Sequence, residues 1–245
     1  MKSNLLTQKT LGLALVVMLA FVASSQADNI APDGTGIIGK NDGTDLSTTG
    51  TEVEHAGSAS DINDGVIGGG NSVNNFDYSG DSYGYVGIVF SDPITDLVSS
   101  LNLYSYLFSD GGYFGNNSNV DNSHGYNGTD PGNNLAASDL VAPEVQITLD
   151  GTTWTDVAST TNYDTALVGA TVGSYPESTF TLDTPVTGIE GIRLIGLNGG
   201  QSEFVAVSEL QVETAPEPST YALMLTGLGM LALVARSRRF GKLSV

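Results

Sequence analysis

Hydrophobic and polar positions divide the chain into three stretches. An apolar run covers residues 11–23, and an uncharged, largely apolar run covers 219–235. Between them no helical periodicity of useful length occurs. Apolar positions there come in short β-rich runs separated by Gly, Asn, Asp and Pro. These runs predict strands over 83–90, 96–107, 144–149, 153–157, 178–182, 191–195 and 203–212. Val145, Ile147 and Leu149 alternate with polar residues, and Asp150-Gly151 follows at once, so 144–157 reads as a hairpin. Several short strands with turn signals between them predict an all-β domain, an antiparallel β-sandwich or jelly roll. Residues 28–54 read as loop. Residues 110–134 have almost no aliphatic side chain and are too long for a hairpin turn, so they read as a functional or mobile loop.

Charge sharpens the division. All 27 acidic residues lie between Asp28 and Glu217, where Lys40 and Arg193 are the only basic ones, so that stretch carries 2 − 27 = −25. Such a body repels phosphate backbones, which excludes nucleic acid as a partner. The chain has no cysteine, which removes disulfides, thiol nucleophiles and Cys-based metal sites.

The two ends read as addresses. Lys2 and Lys9 precede the first apolar run, and Ser25-Gln26-Ala27 places small residues where a signal peptidase reads them. Residues 1–27 are therefore expected to be a secretory signal helix cut after Ala27. At the other end Pro216-Glu217-Pro218 precedes residues 219–235, which as a helix would span about 25 Å, close to a ~30 Å hydrocarbon core. Arg236, Arg238 and Arg239, with Lys242 beyond, form a basic stop that belongs on the cytoplasmic side. The two prolines keep the short motif extended and non-helical just before the predicted transmembrane helix.

In this order, motif, helix and basic cluster (residues 215–240) resemble the PEP-CTERM sorting signal of Gram-negative bacteria. The resemblance implies recognition of Pro216, Glu217 and Pro218 by an exosortase. It also implies transient anchoring in the inner membrane and export to the cell surface or an exopolysaccharide matrix.

A second resemblance covers residues 28–214 in scattered blocks. Asn29-Ile30-Ala31 opens the body, and residues 55–65 follow, ending in Asn63-Asp64-Gly65. The hairpin with Asp150-Gly151 and Trp154, the run 191–196 around Arg193, and Ser208-Glu209-Leu210 close the set. Together they look like a discoidin domain of the galactose-binding-like superfamily, a jelly-roll β-sandwich. That likeness implies a structural calcium ion held by Asn63, Asp64, Gly65 and Glu209. Calcium takes six to eight oxygens, and a turn glycine lets backbone carbonyls converge beside a carboxylate. Strand alternation puts Glu209 on the face of Val205 and Val207 unless a bulge turns it away.

The likeness also implies carbohydrate binding, which needs aromatic faces and fixed polar groups. The long loop offers Tyr113, Phe114, Asn117, His124, Tyr126 and Asn127 for that role. Arg193 is expected to pair with a carboxylate inside the sheet, and Trp154 to lie in the core. No nucleophile elbow, paired metal-binding histidines or phosphate loop occurs. The expected function is an adhesion or carbohydrate-binding module rather than an enzyme. The alternatives are a structural matrix protein without a specific ligand and a secreted glycosidase, which would need two facing carboxylates.

Overall fold

The computed structural model describes residues 27–41, 46–48, 51–52, 55–68, 73–76, 83–108, 111–115, 135, 137, 140–200 and 204–215. The sorting motif, both apolar end segments and the basic cluster lie outside the described residues, as do Asn117, His124, Tyr126 and Asn127. Residues 28–215 form a unit of their own.

Among the described residues that unit holds two six-stranded sheets. The first contains β1 (Thr35–Asn41), β2 (Thr51–Glu52), β5 (Tyr83–Ile94), β7 (Glu144–Thr148), β8 (Trp154–Val157) and β11 (Ile189–Leu197), in the order β2-β1-β5-β11-β7-β8. The second contains β3 (His55–Ala56), β4 (Val73–Phe76), β6 (Val98–Ser105), β9 (Ser159–Thr161), β10 (Glu177–Val186) and β12 (Phe204–Thr214), in the order β3-β4-β12-β6-β10-β9. Every pairing is antiparallel. The inner faces meet through Val86, Ile88, Ile192 and Leu194 from one sheet and Leu101, Leu103, Phe180, Leu210 and Val212 from the other. This is the β-sandwich that the short alternating runs predict.

The predicted hairpin is β7–β8, with Thr148 opposite Trp154. Gly151 takes φ +70° in its turn. The Asp150 carboxylate accepts the amides of Thr152 and Thr153 at 2.9 and 2.7 Å, which holds its carboxyl well below the usual range. Leu149, the third apolar position of the alternation, is exposed, because pairing stops at Thr148.

One expectation fails at residues 28–54. Thr35–Asn41 is not loop but a strand paired along its whole length with β5. The run TGIIGKN shows little alternation because glycines stand where side chains would not fit. A Cβ on Gly36 would collide with the carbonyl oxygen of Ala59. A second departure is the helix α1 (Tyr163–Leu167), which sends Tyr163 and Leu167 into the core.

The chain enters and leaves the unit side by side. Asp28 and Thr214 face each other, and Ala215 donates its amide to the Leu97 carbonyl just before β6. Tyr106 follows the opposite end of β6 and pairs with Ala206. The eight residues of β6 separate these two ends by roughly 25 Å.

Candidate functional site

The site is built on the outer face of the second sheet, where β12 carries an irregularity between Val207 and Glu209. Val207 stands opposite Ser105, and Glu209 stands opposite Tyr104, so Ser208 is the extra residue of a bulge. The bulge resets the alternation. Val205, Val207, Leu210 and Val212 face the core, while Glu209 shares the outer face with Tyr104. Simple alternation with Val205 and Val207 therefore does not hold for Glu209.

Glu209 is nonetheless fully buried, because residues 63–68 fold over it. The Gly65 amide donates to both carboxylate oxygens, at 3.3 and 3.2 Å. Three residues on, the Gly68 amide donates to Ser208 Oγ at 2.8 Å. Gly65 and Gly68 have φ of +82° and +89°, which lets the loop turn its amides inward. Asn63 serves the base of this loop, donating to the carbonyls of Ala31 and Gly34 at 2.6 and 2.9 Å. Asp64 caps the turn by accepting the Val66 amide at 2.8 Å. The four residues expected to hold calcium thus converge on one loop, with Gly65 touching Glu209 directly and Asp64 acting on it through its charge.

Burial pushes the Glu209 carboxyl up to about 7, the Gly65 amide pulls it partly back, and the Asp64 charge raises it further. A cation suits this corner. A buried carboxylate beside a second acid, with one backbone amide as donor among the described residues, is costly when ionised, and a divalent ion would offset that cost. No three Asp, Glu, His or Cys side chains gather into a metal cage among the described residues. Backbone oxygens would therefore have to complete the coordination.

The same loop runs into an aromatic cluster. The rings of Tyr106 and Tyr175 stack with centroids 4.9 Å apart at an interplanar angle of 20°. Phe108 meets Tyr106 edge-on at 4.5 Å and Phe204 at 5.4 Å. Gly68 lies against Tyr175, where a Cβ would stand 3.3 Å from the ring. Tyr106, Phe108 and Tyr175 are half-buried, and Val66 and Ile67 on the adjoining loop are exposed. Beside this aromatic surface, the Tyr104 hydroxyl bonds Glu177, and its pKa is pushed up to about 12 by burial and then by the charges of Glu177, Glu213 and Glu209. The sequence held one signal for this cluster, the spacing of Tyr104, Tyr106 and Phe108 on one side of an extended segment.

Tyr113 and Phe114 correct the expectation made for the long loop. Both are core residues, 5% and 0% exposed, not a solvent-facing platform. Phe114 packs on Gly196, and Tyr113 covers Gly199. The Tyr163 hydroxyl, fully buried, accepts the Phe114 amide at 2.7 Å and donates to the Phe114 carbonyl at 3.0 Å.

Arg193 lies on the outer face of the first sheet, opposite Gly87 and Gln146. Its guanidinium sits 4.3 Å from the Trp154 ring and 5.0 Å from the Tyr85 ring. It donates to Gln146 Oε1 at 2.8 Å and to the carbonyls of Leu46 and Thr48 at 2.7 and 2.9 Å. The nearby carboxylate is reached through a relay, since Gln146 Nε2 donates to Asp156 at 2.7 Å. Burial lowers the Arg193 pKa to about 10, against the opposing influence of Tyr85 and Asp156. The residue stays charged at neutral pH and acts as a structural clasp.

Comparison with known proteins addresses the end of the chain first. Residues 214–239 match the PEP-CTERM protein-sorting motif. The tail of this protein is a PEP-CTERM sorting signal. It marks the chain for export along the membrane-associated exosortase pathway. No curated protein matches the chain. Among solved structures it is similar to the family 32 carbohydrate-binding module of Clostridium perfringens NanJ in complex with galactose, at 16% identity and TM-score 0.42, covering 77% of this chain and 99% of that one. It is also similar to the Streptococcus pneumoniae β-galactosidase BgaA, at 14% identity and TM-score 0.44, covering 78% of this chain and 100% of that one. A third is chitosan-binding module 1 of a Paenibacillus chitosanase/glucanase, at 17% identity and TM-score 0.39, covering 76% of this chain and 98% of that one.

Proposed function

We propose that this protein is an exported, surface- or matrix-directed binding module. Its ligand is a saccharide that packs its C–H faces on the aromatic surface of Tyr106 and Tyr175. The observation that carries this reading is the half-buried stacked pair, braced by Phe108 and Phe204, with the acceptor Glu177 and the Tyr104 hydroxyl beside it. Aromatic surface with a few fixed polar groups is the chemistry that hydroxyl-rich, partly apolar sugars require. Ala215 pairs with Leu97 at the end of β6 opposite Tyr106.

The test is binding of the exported protein to a glycan array and to the producer's own polysaccharide. Tyr106→Ala and Tyr175→Ala should each weaken binding by about tenfold, the value of one aromatic contact. Wild-type protein that binds no saccharide, or a double variant that binds normally, would falsify this reading. The first outcome favours a structural matrix protein, since the acidic domain would then act through bulk alone.

Within this reading a calcium ion at Glu209 holds the 63–68 loop in place beneath Tyr175. Asp64 and Glu209 would supply carboxylate oxygens, and the loop backbone the remainder. Chelator should lower the melting temperature, calcium should restore it, and Glu209→Gln should abolish the difference. A melting curve indifferent to calcium at millimolar concentration would remove the ion from the account. Saccharide binding, if unaffected by the chelator, would then rest on the aromatic surface alone.

A further inference from the structure

Residues 28–30 are an edge segment sewn onto the end of β12. The Asp28 amide donates to Thr214 Oγ1 at 3.2 Å, and the Thr214 amide donates back to the Asp28 carbonyl at 3.0 Å. Asn29 stands opposite Glu213, and its Oδ1 accepts the amides of Ala31 and Val212, both at 3.0 Å. Ile30 closes the pairing on the Val212 carbonyl at 2.8 Å. The charges in this corner are all of one sign. Asp28 and Glu177 act on Glu213, whose carboxyl is pushed up by burial and then by those two neighbours. Glu177 and Glu213 also act on Tyr104, across the same outer face.

We propose that this corner is a maturation clasp. Cutting the chain after Ala27 turns the Asp28 nitrogen into an α-ammonium beside the carboxylates of Asp28 and Glu213, and that cation locks the strand end from which the sorting segment departs. The step is a peptide hydrolysis. Water adds across the Ala27–Asp28 bond, Ala27 takes the hydroxyl as a carboxylate, and the released nitrogen is protonated. In a domain with a charge of 2 − 26 = −24, whose Lys40 and Arg193 both belong to the other sheet, this terminus is the cation that processing adds. It stands at the last residues before Pro216, so leader removal stabilises the part of the fold that must survive the second cut. The inference rests on cleavage after Ala27 and is independent of the saccharide reading.

The test compares two chains ending at Val245 in the same detergent, one starting at Asp28 and one at Ser25. The second carries its amino group three residues further out. At pH 6 and low salt the Asp28 form should melt about 2–4 °C higher. The sign with pH follows from linkage. An amine whose pKa is raised by neighbouring carboxylates stabilises fully below its ordinary value of about 8, and the gain is lost as pH rises through the raised value. The gap should therefore close by about pH 10, and also in 1 M salt, where the screening length is about 3 Å. Glu213→Gln should narrow the gap between the two forms, chiefly by raising the melting temperature of the Ser25 form, where that buried carboxylate has no compensating cation. Equal melting of the two chains at pH 6, a gap indifferent to pH and salt, or a native N-terminus other than Asp28 on sequencing would each overturn the clasp.

Discussion

Arg193→Ala is expected to lower the stability of the domain by about 3–5 kcal/mol, the range seen when one member of a buried charged arrangement is removed. Three acceptors lose their donor: Gln146 Oε1, which is buried, and the partly buried carbonyls of Leu46 and Thr48. The rings of Trp154 and Tyr85 lose the cation packed on them, and the gap cannot close because Gly87 beneath it offers no side chain. Arg193→Lys should recover little, because an ammonium cannot serve the acceptors as a planar fork while lying flat between two rings. Trp154 is the single tryptophan of the chain, so its fluorescence in a urea titration reads both the packing and the unfolding. A change below about 1 kcal/mol in Arg193→Ala would mean that solvent or other groups satisfy those acceptors, and the clasp assignment would be wrong.

Tyr163→Phe is expected to have the next largest effect, about 2–4 kcal/mol from two backbone groups left without a partner. The Tyr163 hydroxyl serves the amide and the carbonyl of Phe114 at once, and burial keeps that hydroxyl protonated far into alkali. Phenylalanine preserves the ring that packs between Phe114 and Phe180, so lost volume contributes almost nothing. Hydrogen exchange should locate the loss at the Phe114 amide, with segment 111–115 exchanging faster than the sheets. Full protection of that amide in the variant would show that it has another acceptor.

These two residues show where sequence reading reaches its limit. Arg193 was visible as a rare cation within a strand, and a carboxylate partner was the natural expectation in so acidic a chain. Its environment instead depends on Leu46 and Thr48, nearly 150 positions away along the chain. Tyr163 carried no local signal, since one tyrosine in a short polar stretch looks like any other. The loop aromatics escape sequence reading for a similar reason. Polar composition around Tyr113 and Phe114 suggested exposure, yet Gly196 and Gly199 provide flat backbone on which those rings are buried. The juxtaposition of Asn63, Asp64 and Gly65 with Glu209 came from the discoidin-like resemblance and not from periodicity. The bulge at Ser208 shows why, because alternation alone puts Glu209 on the wrong face.

What the amino-acid sequence determined by itself was local: an all-β body from short alternating runs, a hairpin from Asp150-Gly151, and a sorting tail from a motif, an apolar stretch and a basic cluster in linear order. Each of these depends on neighbours a few residues apart, so its physics is complete within the segment. Only the tertiary structure decided which aromatics reach the surface, which carboxylate is buried, and that the two ends of the body are sewn together. Those outcomes depend on register, on one extra residue in β12 and on where glycines admit close approach, and such contacts form between segments that are distant in the chain.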